Sequence, residues 1–434
     1  MKKRFAFGRS GIEVSIPEGF SVIELGHRSA VALADETAAV EGALDAPLGC
    51  TALAEMAKGR RTAAISVCDI TRPAPNRMTL PPLLERLERA GIERDGITIL
   101  IATGVHRVAT PEEVELILGA EIAGSYRVIS NDARAPGQHR SLGTTSRGTP
   151  VHIHERFVSA DLRITLGFIE QHLMAGFSGG RKLVAPGLAG EATIKSIHAP
   201  RFMREPLATE GSVVGNPLHA ELLEIARMAR HDFMLDVTLT RERRISGVFA
   251  GEPVTAHAAG VRFLETTSLQ RTERRADLVI TSAAGFPLDL TFYQTVKGIT
   301  AARHLVKPGG RILAISECGE GVGSPEFARW LRALRSCEGF LAEIADAPVE
   351  VDQWQLEKLA RTGKLAQLSF YTPGVKREEL GFLGERAYAT VDEAVAAAVE
   401  GLPRGAEIAL VPEGPYTFAR ACELVEADAV PVAD

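Results

Sequence analysis

Short apolar runs bounded by polar turns recur along this chain, and between them the apolar positions take up helical spacing. Residues 62–67 and 97–102 read as fully buried strands, and residues 80–90 between them as an amphipathic helix closed by Gly91. Thr110-Pro111-Glu112-Glu113 marks a helix start, with Thr as N-cap, Pro at the first position and acidic residues in the first turn. Residues 126–130 predict a third strand, two strand-like runs follow between 151 and 168, and residues 233–239 alternate. Residues 4–24 predict short strands or a hairpin, and residues 30–44 and 219–230 are helical. The second half repeats the alternation: strand 277–281, helix 292–305, a turn at Lys307-Pro308-Gly309-Gly310, strand 311–316, a glycine loop over 319–324 and a helix from Pro325. Strands alternating with helices imply parallel sheets that bind ligands at the carboxyl ends of their strands.

The predicted fold is therefore α/β, with two domains of mainly parallel sheet and a cofactor and substrate cleft between them. The charged stretch 270–275 sets the expected boundary: an N-terminal domain over 1–272, joined by the C-terminal segment 410–434, and a C-terminal domain over 276–409. A chain of 434 residues is too long for one ordinary core, which agrees with two domains. A net charge of −6 without a basic block argues against nucleic acid or a membrane surface as the main partner. The five cysteines are odd in number and far apart, without a C-x-x-C pair. That disfavours a disulfide framework or a cysteine zinc site and fits a reducing compartment. Met1-Lys2-Lys3-Arg4 is not followed by an apolar signal core, and no apolar run is long enough for a bilayer, so a cytoplasmic location is expected.

Residues 167–199 concentrate the candidate chemistry. His172 and His198 flank a glycine-rich turn, Gly176, Gly179 and Gly180, that ends in Lys182. Glycine serves where backbone turns sharply or approaches a ligand, and two imidazoles supply proton transfer or metal ligation near neutral pH. The turn has neither Walker A nor G-x-G-x-x-G spacing. Lys182 reads equally as a surface charge, a phosphate ligand or a covalent nucleophile. Asp69, Thr71, Arg72 and His106 fall at ends of predicted strands; Arg72 suits a carboxylate or phosphate, against the plainer reading of a local turn. Tyr293 and Lys297 share a helix face, with Gln294 beside them, and Glu320 and Ser324 sit in the glycine loop. His152 and His154 form an H-x-H pair, read as an exposed strand face; His27, His139, His219, His231, His257 and His304 are assigned to loops or polar helix faces. Trp354 fits a pocket aromatic or a buried helix residue equally well.

Taken together, Asp69-x-Thr71-Arg72-Pro73, Thr103-Gly104-x-His106-Arg107, His172-x-x-Ala175-Gly176-x-Ser178-Gly179-Gly180-x-Lys182, His198 and Tyr293-Gln294-x-x-Lys297 resemble the nickel-pincer lactate racemase family. The resemblance runs in the family's order from about residue 60 to 330. It implies a racemase or epimerase of 2-hydroxy acids working by reversible hydride transfer to a covalently bound nickel pincer nucleotide. Lys182 would hold that cofactor through a thioamide, and His198 would ligate its nickel. His106 and His172 would be the acid/base pair. Arg72 and Lys297, helped by Gln294 and Tyr293, would hold the substrate carboxylate, while Asp69, Thr71, Ser178, Gly179 and Gly180 would contact the cofactor. Elementary chemistry agrees: the Cα–H of a 2-hydroxy acid is too weakly acidic for a histidine, whereas oxidation to a planar keto acid permits return on either face. Leu173-Met174 stands where many members carry an aromatic pair, which leaves the substrate open among lactate, malate, aromatic hydroxy acids and sugar acids. A monomer or homodimer is expected. Two further readings stand beside it: a zinc hydrolase using His106, His172 and His198, and a non-catalytic nucleotide- or metal-binding protein.

Overall fold

The structure, a computed structural model, describes residues 1–72 and 74–421. Pro73 of the first motif, Cys422 and the end of the 410–434 segment lie outside the described residues. The described chain forms two compact units: Ser29–Thr267, and Met1–Arg28 together with residues 268–421, so the described part of the 410–434 segment, expected with the N-terminal domain, belongs instead to the second unit, where its strands pair. In chain order the strands are β1 (Lys2–Phe5), β2 (Ile12–Ser15), β3 (Ser21–Glu24), β4 (Ala63–Cys68), β5 (Ile97–Ala102), β6 (Arg127–Ser130), β7 (His139–Thr144), β8 (Pro150–His154), β9 (Leu162–Phe168), β10 (Gln171–His172), β11 (Gly176–Phe177), β12 (Phe233–Leu239) and β13 (Ile245–Gly251). They continue as β14 (Gln270–Thr272), β15 (Ala276–Ser282), β16 (Val306–Ile315), β17 (Gln367–Tyr371), β18 (Glu407–Val411) and β19 (Ala419–Ala421).

The unit of Ser29–Thr267 is built on a six-stranded sheet in the order β13-β12-β9-β4-β5-β6, parallel except for the β12–β13 pair. From β4 the chain moves outward through β5 and β6, then returns to β9 on the opposite side of β4. The loops after β4 and β9 consequently diverge at their carboxyl ends, the place where doubly wound sheets bind ligands. All six residues of β4 and all seven of β9 are buried, the pattern of strands covered on both faces. Ile65, Val67, Ile99, Ile164 and Leu166 join Leu80, Leu83 and Leu87 of the helix Asn76–Arg89 in one core. Thr110 caps the helix Pro111–Leu118 in a reciprocal capping box with Glu113, as the sequence predicts.

The second unit holds a five-stranded, all-parallel sheet in the order β17-β16-β15-β18-β3. Alternate residues of its strands enter two cores, Val279 and Ile312 on one face, Leu278, Ile280, Leu313 and Leu410 on the other. The opening 28 residues, expected with the N-terminal domain, fold here instead, because β3 ladders onto β18 and β1 and β2 pack Phe5 and Val14 into the second core. The stretch Lys307–Gly310 is not a turn between elements. It lies within β16 as an irregularity, the register stepping from Ala276 opposite Val306 to Leu278 opposite Arg311. Trp354 is buried in the first turn of the helix Gln353–Leu365. Among the described residues no helix is long and apolar enough to cross a membrane.

Ile65 sits fully buried on the strand next to the reversal. Ile65→Ala should lower unfolding free energy by about 2–5 kcal/mol, read as a reduced denaturant midpoint with an unchanged slope; a loss below about 0.5 kcal/mol, the surface range, would contradict the packing described.

Candidate active site

The loop leaving β4 begins with Asp69, which is buried and engaged on both carboxylate oxygens. Oδ1 accepts from the Thr71 hydroxyl at 2.6 Å and the Thr71 N–H at 3.2 Å, closing a local turn. Oδ2 lies 2.7 Å from Nδ1 of His106. The local turn expected here is therefore present, and the same carboxylate also reaches His106. A carboxylate oxygen accepts, so Nδ1 of His106 carries the proton, and in the neutral ring Nε2 is the basic nitrogen. His106 arrives from the end of β5 through Thr103 and Gly104, which has φ +57° and donates its N–H to Gly187 O at 3.0 Å. Its imidazole is 55% exposed, so it is accessible to a solute. Arg107 makes a two-pronged contact with Glu113, 2.7 and 2.6 Å, and so latches the following helix.

Arg72 reaches across the strand reversal to Glu170, just beyond β9, and the two form an ion pair. Glu170 has no signal in the sequence beyond its place after a strand. Its backbone is tied to the glycine turn: its N–H donates to the Ser178 hydroxyl at 2.9 Å, and its carbonyl accepts from the Ser178 N–H at 2.8 Å. The Ser178 hydroxyl in turn donates to Phe168 O at 2.9 Å. Ser178 thus fastens the turn to the end of β9.

His172 lies in β10, paired antiparallel with Gly176 of β11. Its Nδ1 accepts from the N–H groups of Ala175 (3.2 Å) and Met174 (3.4 Å). Acceptance at Nδ1 leaves the proton of the neutral ring on Nε2, the opposite tautomer to His106. Gly176 is demanded by both conformation and space: its φ is +76°, and a Cβ at this position would lie only 2.0 Å from Ser212 O. Leu173 and Met174, between these strands, are buried. After Gly179 and Gly180 the short helix Arg181–Val184 begins, and Lys182 stands half-buried in its first turn. Arg181 is buried and spans Ala175 O (2.8 Å), Phe177 O (3.1 Å) and Nε2 of His257 (2.8 Å). His257 is therefore no polar-face histidine: it is buried, and burial beside Arg181 holds its imidazole well below the usual range.

His198 caps the helix Glu191–Ile197, and its Nδ1 lies 2.8 Å from Ile194 O. A carbonyl only accepts, so the Nδ1 proton is fixed there and Nε2 of the neutral ring carries the lone pair. Backbone carbonyls orient metal-bound histidines in this way. Among the described residues no group of three or more His, Cys, Asp or Glu is placed to hold a metal ion, so His106, His172 and His198 are not gathered into a zinc site. His154 is buried rather than on an exposed face: it ends β8 with Nδ1 accepting from Arg156 N–H at 3.2 Å, and burial lowers its pKa to about 4.

In the second unit Tyr293, Gln294 and Lys297 all lie on the helix Phe292–Ala302. The Tyr293 ring packs edge-on against Phe327 at 5.1 Å, and burial pushes its phenol pKa up. Gln294 Oε1 is buried without a hydrogen-bond partner among the described residues. Ser324 serves as N-cap of the helix Pro325–Ala333 and also donates to Asp352 at 2.5 Å.

With this geometry in place, comparison with known proteins is direct. Residues 7–211 match the lactate racemase N-terminal domain and residues 271–417 the lactate racemase C-terminal domain. The chain is 35% identical over 325 residues to lactate racemase of Thermoanaerobacterium thermosaccharolyticum, covering 74% of this chain and 76% of that protein. It is 33% identical over 383 residues to lactate racemase of Lactiplantibacillus plantarum, covering 87% and 90% respectively. The structure of the lactate racemase apoprotein from T. thermosaccharolyticum superposes with a TM-score of 0.90 at 30% identity, over 97% of this chain and 100% of that one. Strand reversal and glycine turn thus sit in a chain that belongs to the lactate racemase family.

Proposed function

We propose that this isomerase inverts C2 of a 2-hydroxy acid, using a nickel pincer nucleotide covalently held at Lys182. The observation that carries the reading is the Asp69–His106 pair, a carboxylate-oriented base at the strand reversal, in the same loop region as the cationic Arg72. When bound, the cofactor supplies reversible hydride acceptance from the substrate carbon, the step that side chains cannot perform. The residues fit such a group. Nickel accepts sulfur and imidazole donors, a pincer ligand brings most of its own donors, and His198, oriented by Ile194 O, offers a single imidazole nitrogen. Lys182 would provide the thioamide tether, and Asp69, Thr71 and the Ser178–Gly180 backbone would hold the cofactor.

The chain's own part is binding, orientation and proton transfer. Arg72 holds the substrate carboxylate; its guanidinium has donors beyond the one given to Glu170. On the helix Phe292–Ala302, Lys297, with Gln294 and Tyr293 beside it, offers a further group suited to an anion. His106 receives the hydroxyl proton at Nε2 while Asp69 stabilises the imidazolium that forms. His172 enters this step as the imidazolium, with Nδ1 turned from the Met174 and Ala175 N–H groups, and returns the Nε2 proton to the carbonyl oxygen as the hydroxy acid reforms, which leaves its ring neutral. The roles exchange for the opposite enantiomer, once the two rings have exchanged protonation states. The keto acid is planar, so release of its other face to reduction inverts the configuration.

Lys182→Ala should abolish the covalent adduct in protein co-produced with pincer-cofactor biosynthetic enzymes, with the melting temperature kept; intact mass decides it, and a retained adduct would sink the tether assignment. His106→Ala and His172→Ala should keep the adduct yet slow interconversion by roughly 10²- to 10⁴-fold, followed by chiral chromatography over a panel of 2-hydroxy acids. Full activity in either variant removes that histidine from the pair. Arg72→Ala should raise KM about tenfold or more, the loss of a charge-assisted hydrogen bond, and unchanged kinetics with every acid would count against a carboxylate role.

A further inference from the structure

Behind the glycine turn lies a carboxyl group to which the mechanism gives no part. Asp236, on β12, is fully buried and stands in register with Gly167 of β9. Its Oδ2 accepts from the Gly180 N–H at 2.7 Å. Three glycines surround it, and Gly179 is the one whose missing side chain makes room for it. A Cβ at Gly179 would lie 2.1 Å from Oδ2, one at Gly167 3.2 Å from Oδ1, and one at Gly180 3.9 Å from Oδ2. Gly179 and Gly180 also hold φ values of +79° and +46°, which a side chain would strain. Two residues further on is Lys182, whose own N–H closes the turn on Gly179 O at 3.0 Å. From below, Arg181 grips Ala175 O and Phe177 O, so the turn is held at both ends by buried charge.

A fully buried carboxyl is costly for a stability element alone, because a neutral apolar residue would avoid that desolvation. Gly179 makes sense as room left for this group. We propose that Asp236 is the positioning residue of the lysine turn: by fixing the Gly180 N–H and excluding any Cβ from Gly179, it sets the direction in which Lys182 presents its amine. This rests on the tether reading above, which is why the test separates the two. Burial raises the Asp236 pKa to about 7, opposed by the Gly180 N–H and by Arg181, yet the oxygen accepts in either protonation state. The uncharged amide of asparagine offers the same acceptor, which makes it the conservative replacement.

The experiment compares wild type, Asp236→Asn and Asp236→Ala in two readouts, with melting curves for each. On protein co-produced with the cofactor biosynthetic enzymes, intact mass should show adduct falling by roughly tenfold or more in Asp236→Ala, the cost of misplacing a reacting group, and restored in Asp236→Asn. On protein lacking the cofactor, acetylation by sulfo-N-hydroxysuccinimide acetate, mapped by mass spectrometry, should rise about threefold at Lys182 relative to exposed Lys58 in Asp236→Ala only, as local opening of the turn requires. Wild-type loading and labelling in Asp236→Ala overturn the positioning role and leave the tether intact. An unloaded wild type with the labelling change present removes the tether and keeps the positioning role. If Asp236→Ala does not fold, Asp236→Leu carries the test, since it fills the site but offers the Gly180 N–H no acceptor. A tenfold loss of loading there supports the proposal, and undiminished loading rejects it.

Discussion

Strand order reverses between β4 and β9, and the placement of the candidate site residues within 29–267 depends on that reversal. Two neighbouring parallel strands send their following loops in opposite directions, so a gap opens at their carboxyl ends without any loss of sheet hydrogen bonds. Asp69 and Arg72 come from one side of the gap, Glu170 and the glycine turn from the other, and the Arg72–Glu170 ion pair spans it. Because β4 and β9 are buried throughout, the framework beneath is rigid, and residues at its rim inherit a fixed direction.

Hydrogen bonds at that rim decide what each imidazole can do. Asp69 fixes a proton on Nδ1 of His106, whereas the N–H groups of Met174 and Ala175 point at Nδ1 of His172 and force the opposite tautomer. His198 is set by Ile194 O, a carbonyl one helical turn before it. Three histidines of identical intrinsic chemistry are thus given three different presentations by their partners. No composition or spacing rule distinguishes them, since each partner is a backbone group or a side chain brought in by folding.

The second unit reaches the same α/β plan with a different edge. The first 28 residues complete its sheet through β3, and its two cores divide the alternating residues of β15, β16 and β18. The units part between Thr267 and Ser268, and both the opening residues and the described part of the 410–434 segment share the second unit. The opening segment departs from its expected domain because a single edge strand has no local mark of the sheet it joins.

By itself, the sequence determined what rests on local pattern. Apolar periodicity marked β5 and β12 residue for residue, and the Thr110 capping box placed its helix, because burial period and cap chemistry are properties of neighbouring residues. Motif order over most of the chain likewise identified the family. Only the tertiary structure decided which distant groups meet. Glu170, Asp236 and His257 carry no mark in the sequence, although they hold Arg72, the Gly180 N–H and Arg181. The reason is physical: those contacts join residues 56 to 98 positions apart, and the sheet register that unites them is set by the whole core.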